Sequence, residues 1–198
     1  MKTYGLLILI LFGGLSAQAQ LSDALDETQK AQRSKGHNKG EIYLMPSVGL
    51  GDEMVGSTLV PPLIMNAEFG FHDMLSVGGF VGYGMSQSQK YVGVNANYFW
   101  RYSYYYFGAR TSFHWGRYLP VPDEVDLYGR FSLGWRIRTE KLHETTSFPG
   151  IVETSADFGL LAGLHAGAKY KLNSNFGVFL EVGYERMSAV QLGAAIQF

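Results

Sequence analysis

The chain has 198 residues, room for one domain, and carries 16 Lys and Arg against 17 Asp and Glu. That balance argues against nucleic acid, which demands a clustered basic surface, and the absence of cysteine excludes disulfides and thiolate metal centres. Glycine occurs 25 times and aromatics make 15% of the chain without a collagen repeat, which fits short, closely packed strands with aromatic ends.

Residues 1–19 read as a secretory signal. Lys2 supplies the positive start, Gly5 to Leu15 the apolar stretch, and Ala17-Gln18-Ala19 the small residues of a cleavage site. The apolar run is about 11 residues, short of the roughly 20 that a spanning helix needs. A mature start at Gln20 is expected, and no Cys follows it to carry a lipid. Residues 20–40 are polar (Asp23, Asp26, Glu27, Lys30, Arg33, Lys35, Lys39) and predict a mobile periplasmic leader.

Eight segments of period-two alternation follow across 41–198. The first, 41–50, places Ile42, Leu44, Val48 and Leu50 on one face. The second, 63–72, sets Leu63, Met65, Ala67, Phe69 and Phe71 against Asn66, Glu68, Gly70 and His72. The third, 75–84, sets Leu75, Val77, Val81 and Tyr83 against Ser76, Gly78 and Gly82. The fourth, 102–115, sets Tyr105, Phe107, Ala109, Phe113 and Trp115 against Gly108, Arg110, Ser112 and His114. The fifth, 126–138, opposes Leu127, Phe131, Leu133, Trp135 and Ile137 to Tyr128, Arg130, Ser132, Gly134 and Arg136. The sixth, 158–172, opposes Phe158, Leu160, Ala162, Leu164, Ala166, Ala168 and Tyr170 to Gly159, Gly163, His165, Gly167 and Lys169. The seventh, 176–184, has Glu181 among glycines opposite Phe176, Val178, Leu180 and Val182. The eighth, 190–198, alternates without a fault up to the terminal Phe198.

Eight is even, as a single-chain bacterial membrane barrel requires. With the termini periplasmic, the outer loops are 51–62, 85–101, 139–157 and 185–189, and the inner turns 73–74, 116–125 and 173–175. Residues 90–101 alternate weakly and are expected to form an extracellular loop or hairpin, not a ninth strand of the wall.

The two faces decide between a soluble and a membrane barrel. Glu68, Arg110, Arg130, Arg136, His165, Lys169 and Glu181 all fall opposite the bulky apolar side chains. The latter, with Trp115, Trp135, Phe69, Phe71, Phe107, Phe113 and Phe131, are too large to share one eight-stranded lumen. An apolar exterior and a polar interior are therefore expected. Tyr43, Tyr83, Trp100, Tyr102, Tyr104, Trp115, Tyr170 and Tyr184 lie near strand ends, where headgroup-level girdles form. The fold class expected is an all-β, eight-stranded, antiparallel, transmembrane up-and-down barrel.

A set of short motifs carries a resemblance. They are Glu68-Phe69-Gly70, then Leu75-Ser76-Val77-Gly78-Gly79 and Gly108-Ala109-Arg110-Thr111-Ser112-Phe113-His114. Further on come Asp126-Leu127-Tyr128-Gly129 with Leu133-Gly134, Gly167-Ala168-Lys169-Tyr170, Glu181-Val182-Gly183-Tyr184 and the terminal Phe198. With these motifs residues 40–198 resemble the small outer-membrane β-barrel proteins grouped as the porin family, akin to the OmpA/OmpX transmembrane barrel. The resemblance implies placement in a Gram-negative-type outer membrane among its lipids. It also implies that Leu192, Ile196 and Phe198 serve as a signal to the barrel-assembly machinery. It implies no catalytic residue.

No metal spacing links His37, His72, His114, His143 and His165, and no glycine-rich phosphate loop opens a helix. No metal and no cofactor are expected. Ser112 and His114 share an inward face, and lumen packing explains them better than catalysis does. Glu68, Arg110, Arg130, His165, Lys169 and Glu181 are the candidates for a buried polar network that plugs the lumen, since eight strands leave little open channel. Lys171 and Arg138, nearer strand ends, are candidates to meet lipid phosphates. The function expected is a non-enzymatic structural or surface-interaction barrel with exposed loops. Porin-like transport of small or hydrophobic solutes is the alternative, a lipid-modifying enzyme a further one. The loop ligand is not readable from the residues.

Overall fold

A computed structural model describes residues 37–51, 53–89, 91–92, 97–144 and 154–198. The expected signal at 1–19 and the leader up to residue 36 lie outside these described residues. The strands are β1 (Ile42–Leu50), β2 (Ser57–His72), β3 (Leu75–Gln87), β4 (Tyr91–Val92), β5 (Asn97–His114), β6 (Val125–Glu144), β7 (Thr154–Lys171), β8 (Phe176–Tyr184) and β9 (Val190–Gln197). A single turn of 3-10 helix, Gly116–Tyr118, sits in the 116–125 connection.

Every pairing is antiparallel and joins neighbours in the chain, except that β3 pairs β5 and β9 returns to β1. Eight strands thus close into a ring with no free edge, which removes the unpaired backbone that no bilayer tolerates. The two residues of β4 pair only with Tyr98 and Asn97 at the start of β5. They add a small hairpin arm beyond the ring, so the weak alternation of 90–101 does not make a ninth wall strand.

The bounds of the expected outer loops move. The outer loops are shorter than 51–62, 85–101 and 139–157, because β2 already starts at Ser57, β3 continues to Gln87, β5 begins at Asn97 and β6 runs to Glu144. Polar residues above the membrane keep extended pairing because their ladder partners are present, even where apolar alternation has ended. Residues 37–41, which reach into the stretch expected as leader, are bonded to the ring. Gly40 N donates to Gly70 O at 2.7 Å and Gly70 N to Glu41 O at 2.9 Å, tying 37–41 to the ring at the termini end.

The registers stack outward residues into rows around the wall. One row runs Met65, Val81, Phe107, Trp135, Leu160, and another Phe69, Val77, Thr111, Phe131, Leu164. Trp135 is 51% exposed, Leu160 61% and Val81 59%. Monomers in water rarely show contiguous apolar patches beyond a few hundred Å², and here apolar side chains girdle the whole ring. Leu127 to Ile137, at about 3.3 Å per residue and a tilt of roughly 40°, covers about 25 Å, the height of a barrel's apolar band. The arrangement is that of a bilayer-facing wall.

The interior is less uniformly polar than its sequence suggests. Tyr43, Tyr104, Tyr106, Tyr128, Phe80, Phe179 and Leu161 are all buried inside. Tyr43 and Tyr104 therefore leave the expected girdle, and Trp100 and Tyr102 share the inward phase of Tyr104. Tyr170 and Tyr184 do face out. Glycine makes room for these rings. A Cβ on Gly167 would lie 2.5 Å from Tyr128 Cζ, so the ring packs flat against bare backbone.

Candidate functional site

Among the described residues, chemically versatile side chains converge in the lumen, and strand alternation puts them there. Alternate residues of β2, β3, β5, β6, β7 and β8 place Glu68, Ser76, Arg110, Ser112, Arg130, Lys169 and Glu181 inside, each almost fully buried. A buried charge is tolerated only when paired and hydrogen-bonded, and the pairs form three storeys.

Arg130 holds the middle. Its Nη2 donates to Glu68 Oε2 at 2.9 Å and Oε1 at 3.1 Å, its Nη1 bonds Glu181 Oε1, and its Nε donates to Ser112 Oγ at 3.0 Å. Ser112 and Ser76 hydroxyls donate to Glu68 Oε1 at 2.6 and 2.7 Å, and Tyr128 donates to Glu181 Oε1 at 2.7 Å. One guanidinium on β6 so clamps two carboxylates, from β2 and β8, using the fork that lysine lacks.

The storey towards the far rim is organised by Arg110. Its Nη2 donates to Glu185 Oε2 at 2.9 Å and its Nη1 bonds Asn66 Oδ1, while its guanidinium lies 4.3 Å from the Phe80 ring centre. Ser132 donates to Glu185 Oε1 at 2.6 Å. Glu185 sits in the 185–189 connection, which dips into the barrel and also buries Met187 and Ser188. Above it Ile64, Phe80, Tyr104, Tyr106, Leu161 and Met187 pack as an apolar cluster.

At the termini end Lys169 Nζ lies 3.2 Å from Asp126 Oδ2 and 3.7 Å from the Tyr43 ring centre. His114 Nδ1 is 2.9 Å from Asp126 Oδ2, and its Nε2 is 2.9 Å from Ser76 Oγ. The His37 ring stacks on His114, centroids 3.9 Å apart. Below it Glu41 accepts hydrogen bonds from Asn38, Tyr43 and Gln197 and pairs with Lys171 at 3.4 Å. This short flap closes the mouth. Gly70 makes room for it, since a Cβ there would lie 2.5 Å from His37 Nε2.

Against the expected network, Glu68, Arg130 and Glu181 are in direct contact as one unit. Arg110 and Lys169 take other partners, Glu185 and Asp126. His165 stands apart, with Nε2 3.3 Å from Ser188 O. Asp126 had a signal available in the register, because it lies directly across from Lys169 on β7. Glu185 had none, because no periodicity tells that a loop turns inward. His72 is exposed at its strand end, with Nδ1 accepting from Met74 N at 3.2 Å. Lys171 is held by Glu41, and Arg138 Nη2 by Glu140 at 2.7 Å and Asp157 at 3.9 Å. Both lie in the inward phase of their strands, so neither is aimed at lipid. Of the three residues expected to signal assembly, Leu192 and Phe198 are exposed on the wall and Ile196 is half-buried, with Phe198 N bonded to Ile42 O at 2.9 Å.

Two catalytic-looking clusters come out of this geometry. Ser112 is taken by Glu68 and Arg130, so it does not pair with His114; Ser76 does. Ser76, His114 and Asp126 form a line in the order and spacing of a nucleophile, base and orienting acid. However, Ser76 Oγ has one proton and two takers, Glu68 and His114. Its surroundings are ladder-bonded strands whose N–H groups leave no oxyanion pair. The nitrogens of His37 and His114 and the carboxylate of Asp126 also lie within 4.8 Å of one another. The two imidazoles are only 8° from parallel, so their in-plane lone pairs cannot meet at one ion without a ring turning. Lys169 already neutralises Asp126. The trio is built as a ring stack and an ion pair.

No family model and no curated protein matches the chain. Several solved structures are similar to it. Ail, the attachment invasion locus protein of Yersinia pestis, in complex with the heparin analogue sucrose octasulfate, is 20% identical with a TM-score of 0.49, over 81% of this chain and 99% of that one. The N-terminal β-barrel domain of Pseudomonas aeruginosa OprF is 14% identical with a TM-score of 0.42, over 83% and 100%. A designed transmembrane β-barrel is 16% identical with a TM-score of 0.42, over 82% and 99%. None is near enough to lend its role to this chain, and the eight-stranded ring rests on the strand pairing itself.

Proposed function

We propose that this chain is an outer-membrane barrel with a closed lumen, non-enzymatic, whose work is structural and surface-presenting. Its termini face the periplasm and its extended β2–β3, β5–β6 and β6–β7 ribbons stand outside. The observation that carries this reading is the Arg130 clamp on Glu68 and Glu181, which spans the middle of the lumen. Buried pairs above and below it leave a solute no wetted file of groups to follow. Leu192, Ile196 and Phe198 present their edge to the assembly machinery during insertion.

Single-channel recording in planar bilayers tests the closed lumen. The protein as it stands is expected to give no steady conductance. A stable ohmic step in the unmodified protein would overturn the reading in favour of porin-like transport. The Ser76–His114–Asp126 line supports a second reading, a lipid hydrolase. A fatty-acid release assay on reconstituted protein would support it if activity appeared and vanished in Ser76→Ala. Burial of the hydroxyl and its bond to Glu68 favour the first reading.

A further inference from the structure

Lys171 and Arg138 turn inward, but two other cations turn out. On β5 the outward phase set by Tyr105 and Phe107 continues through Ser103 and Arg101. On β6 the phase of Trp135 and Ile137 continues through Thr139 and Lys141. The register makes Ser103 the partner of Thr139 and Arg101 the partner of Lys141. Two hydroxyls thus sit directly above the apolar band, and two cations directly above the hydroxyls.

Like charges directly opposite on a ladder repel. Among the described residues, no carboxylate pairs with either cation. On β3 the outward ladder neighbour of Arg101 is Gln87. Arg101 Nε is buried without a hydrogen-bond partner. Its guanidinium rests 5.8 Å from the Phe99 ring centre, and Phe99 stacks on His143 at 5.1 Å. The Phe99 ring therefore holds the fork in place. The other arginines whose pairing is described each have a carboxylate: Arg110, Arg130, Arg136, Arg138 and Arg186.

We propose that Arg101 and Lys141, with Ser103 and Thr139, form a binding site on the outer wall for the phosphate of a glycolipid in the leaflet at the far rim. Height selects this ligand. Arg101 is four residues beyond Tyr105, about 13 Å along the strand and roughly 10 Å along the membrane normal after tilt. The headgroup layer is only about 5–7 Å deep on each side of the apolar core. A phosphate carried on a sugar headgroup reaches the cations, whereas a glycerol-borne phosphate lies nearer the hydroxyls. Paired cations also match a phosphate monoester, which carries more than one negative charge, and Arg adds bidentate geometry. The proposal rests on the membrane-barrel reading but not on the closed lumen.

The test uses the full-length barrel in phosphatidylcholine nanodiscs doped with a bis-phosphorylated glucosamine-disaccharide lipid or its dephosphorylated form. Retained lipid is counted by native mass spectrometry. The phosphorylated lipid should be retained and the dephosphorylated one not. A surface cation near the membrane contributes enough to change affinity about fivefold. Arg101→Gln and Lys141→Gln should each lower retention by about that factor, and the double variant by roughly 25-fold. Arg101→Lys should hold within about twofold, which separates charge from folding. Heat-modifiable migration on gels confirms that each variant forms the barrel. Equal retention by the double variant, or no preference for the phosphorylated lipid, overturns the proposal. Displacement by equimolar inorganic phosphate would also overturn it, by showing a site for free phosphate. Symmetric nanodiscs carry the lipid in both leaflets, so the result does not depend on orientation, and a conductance step in the recordings would leave it standing.

Discussion

The two faces of the same strands obey different rules. On the outer wall, Phe107, Trp135 and Leu160 lie in one row, and their neighbours differ freely in shape, because acyl chains reward apolar area without demanding a fit. On the inner wall, Arg130, Glu68, Glu181, Tyr128 and Ser112 are matched atom to atom, because a buried polar group without its partner is costly. This barrel is therefore placed in its membrane by a loosely specified exterior and shaped by a tightly specified interior.

The widest gap between the faces should appear at Arg130. Arg130→Ala strands Glu68 and Glu181 without their cation, and unfolding in urea from lipid vesicles should show a loss of about 3–5 kcal/mol. Leu133→Met, three residues on and facing lipid, should cost under about 1.5 kcal/mol in the same assay. Equal losses at the two sites would erase the distinction.

A smaller effect is expected from shape alone. Gly167→Ala adds one methyl group 2.5 Å from Tyr128 Cζ, on a ring whose hydroxyl is bound to Glu181. The resulting overpacking should cost about 1–3 kcal/mol. Tyr128→Phe leaves the same collision and Tyr128→Leu relieves it. If Tyr128→Leu did not restore stability to Gly167→Ala, another contact would be responsible.

The mildest effect belongs to the flap. His37 is pushed down from its ordinary 6.5 to about 4, first by burial and then by the nearby His114 and Lys169. Between these values the released flap binds more protons than the docked one. Docking is therefore complete above pH 6.5 and weakens as pH falls towards 4. The exchange protection of the Gly40 amide, which bonds Gly70 O, should fall over that window, and His37→Phe should abolish the dependence. Protection that stays level from pH 7 to 4 would remove His37 as its cause.

Period-two alternation was enough to find all eight wall strands, which face of each is apolar, and that Glu68, Arg110, Arg130, His165, Lys169 and Glu181 point inward. Which of them meet was hidden. Arg110 reaches Glu185, and Lys169 meets Asp126, because partners depend on register around the ring and on a loop that turns inward. Tyr43 and Tyr104 show the same limit. A tyrosine at a strand end suits a headgroup girdle or a lumen filler equally well, and only the phase of its strand in the closed ring separates the two.

The order of residues alone thus determined an inside-out barrel of eight strands, since alternation is a local property that each strand carries by itself. Tertiary structure decided the Arg130 clamp, the His37 flap over the mouth and the outward cation pair at Arg101 and Lys141. Each of these needs residues far apart in the chain to arrive at one height on neighbouring strands, and that height is set only when the ring closes.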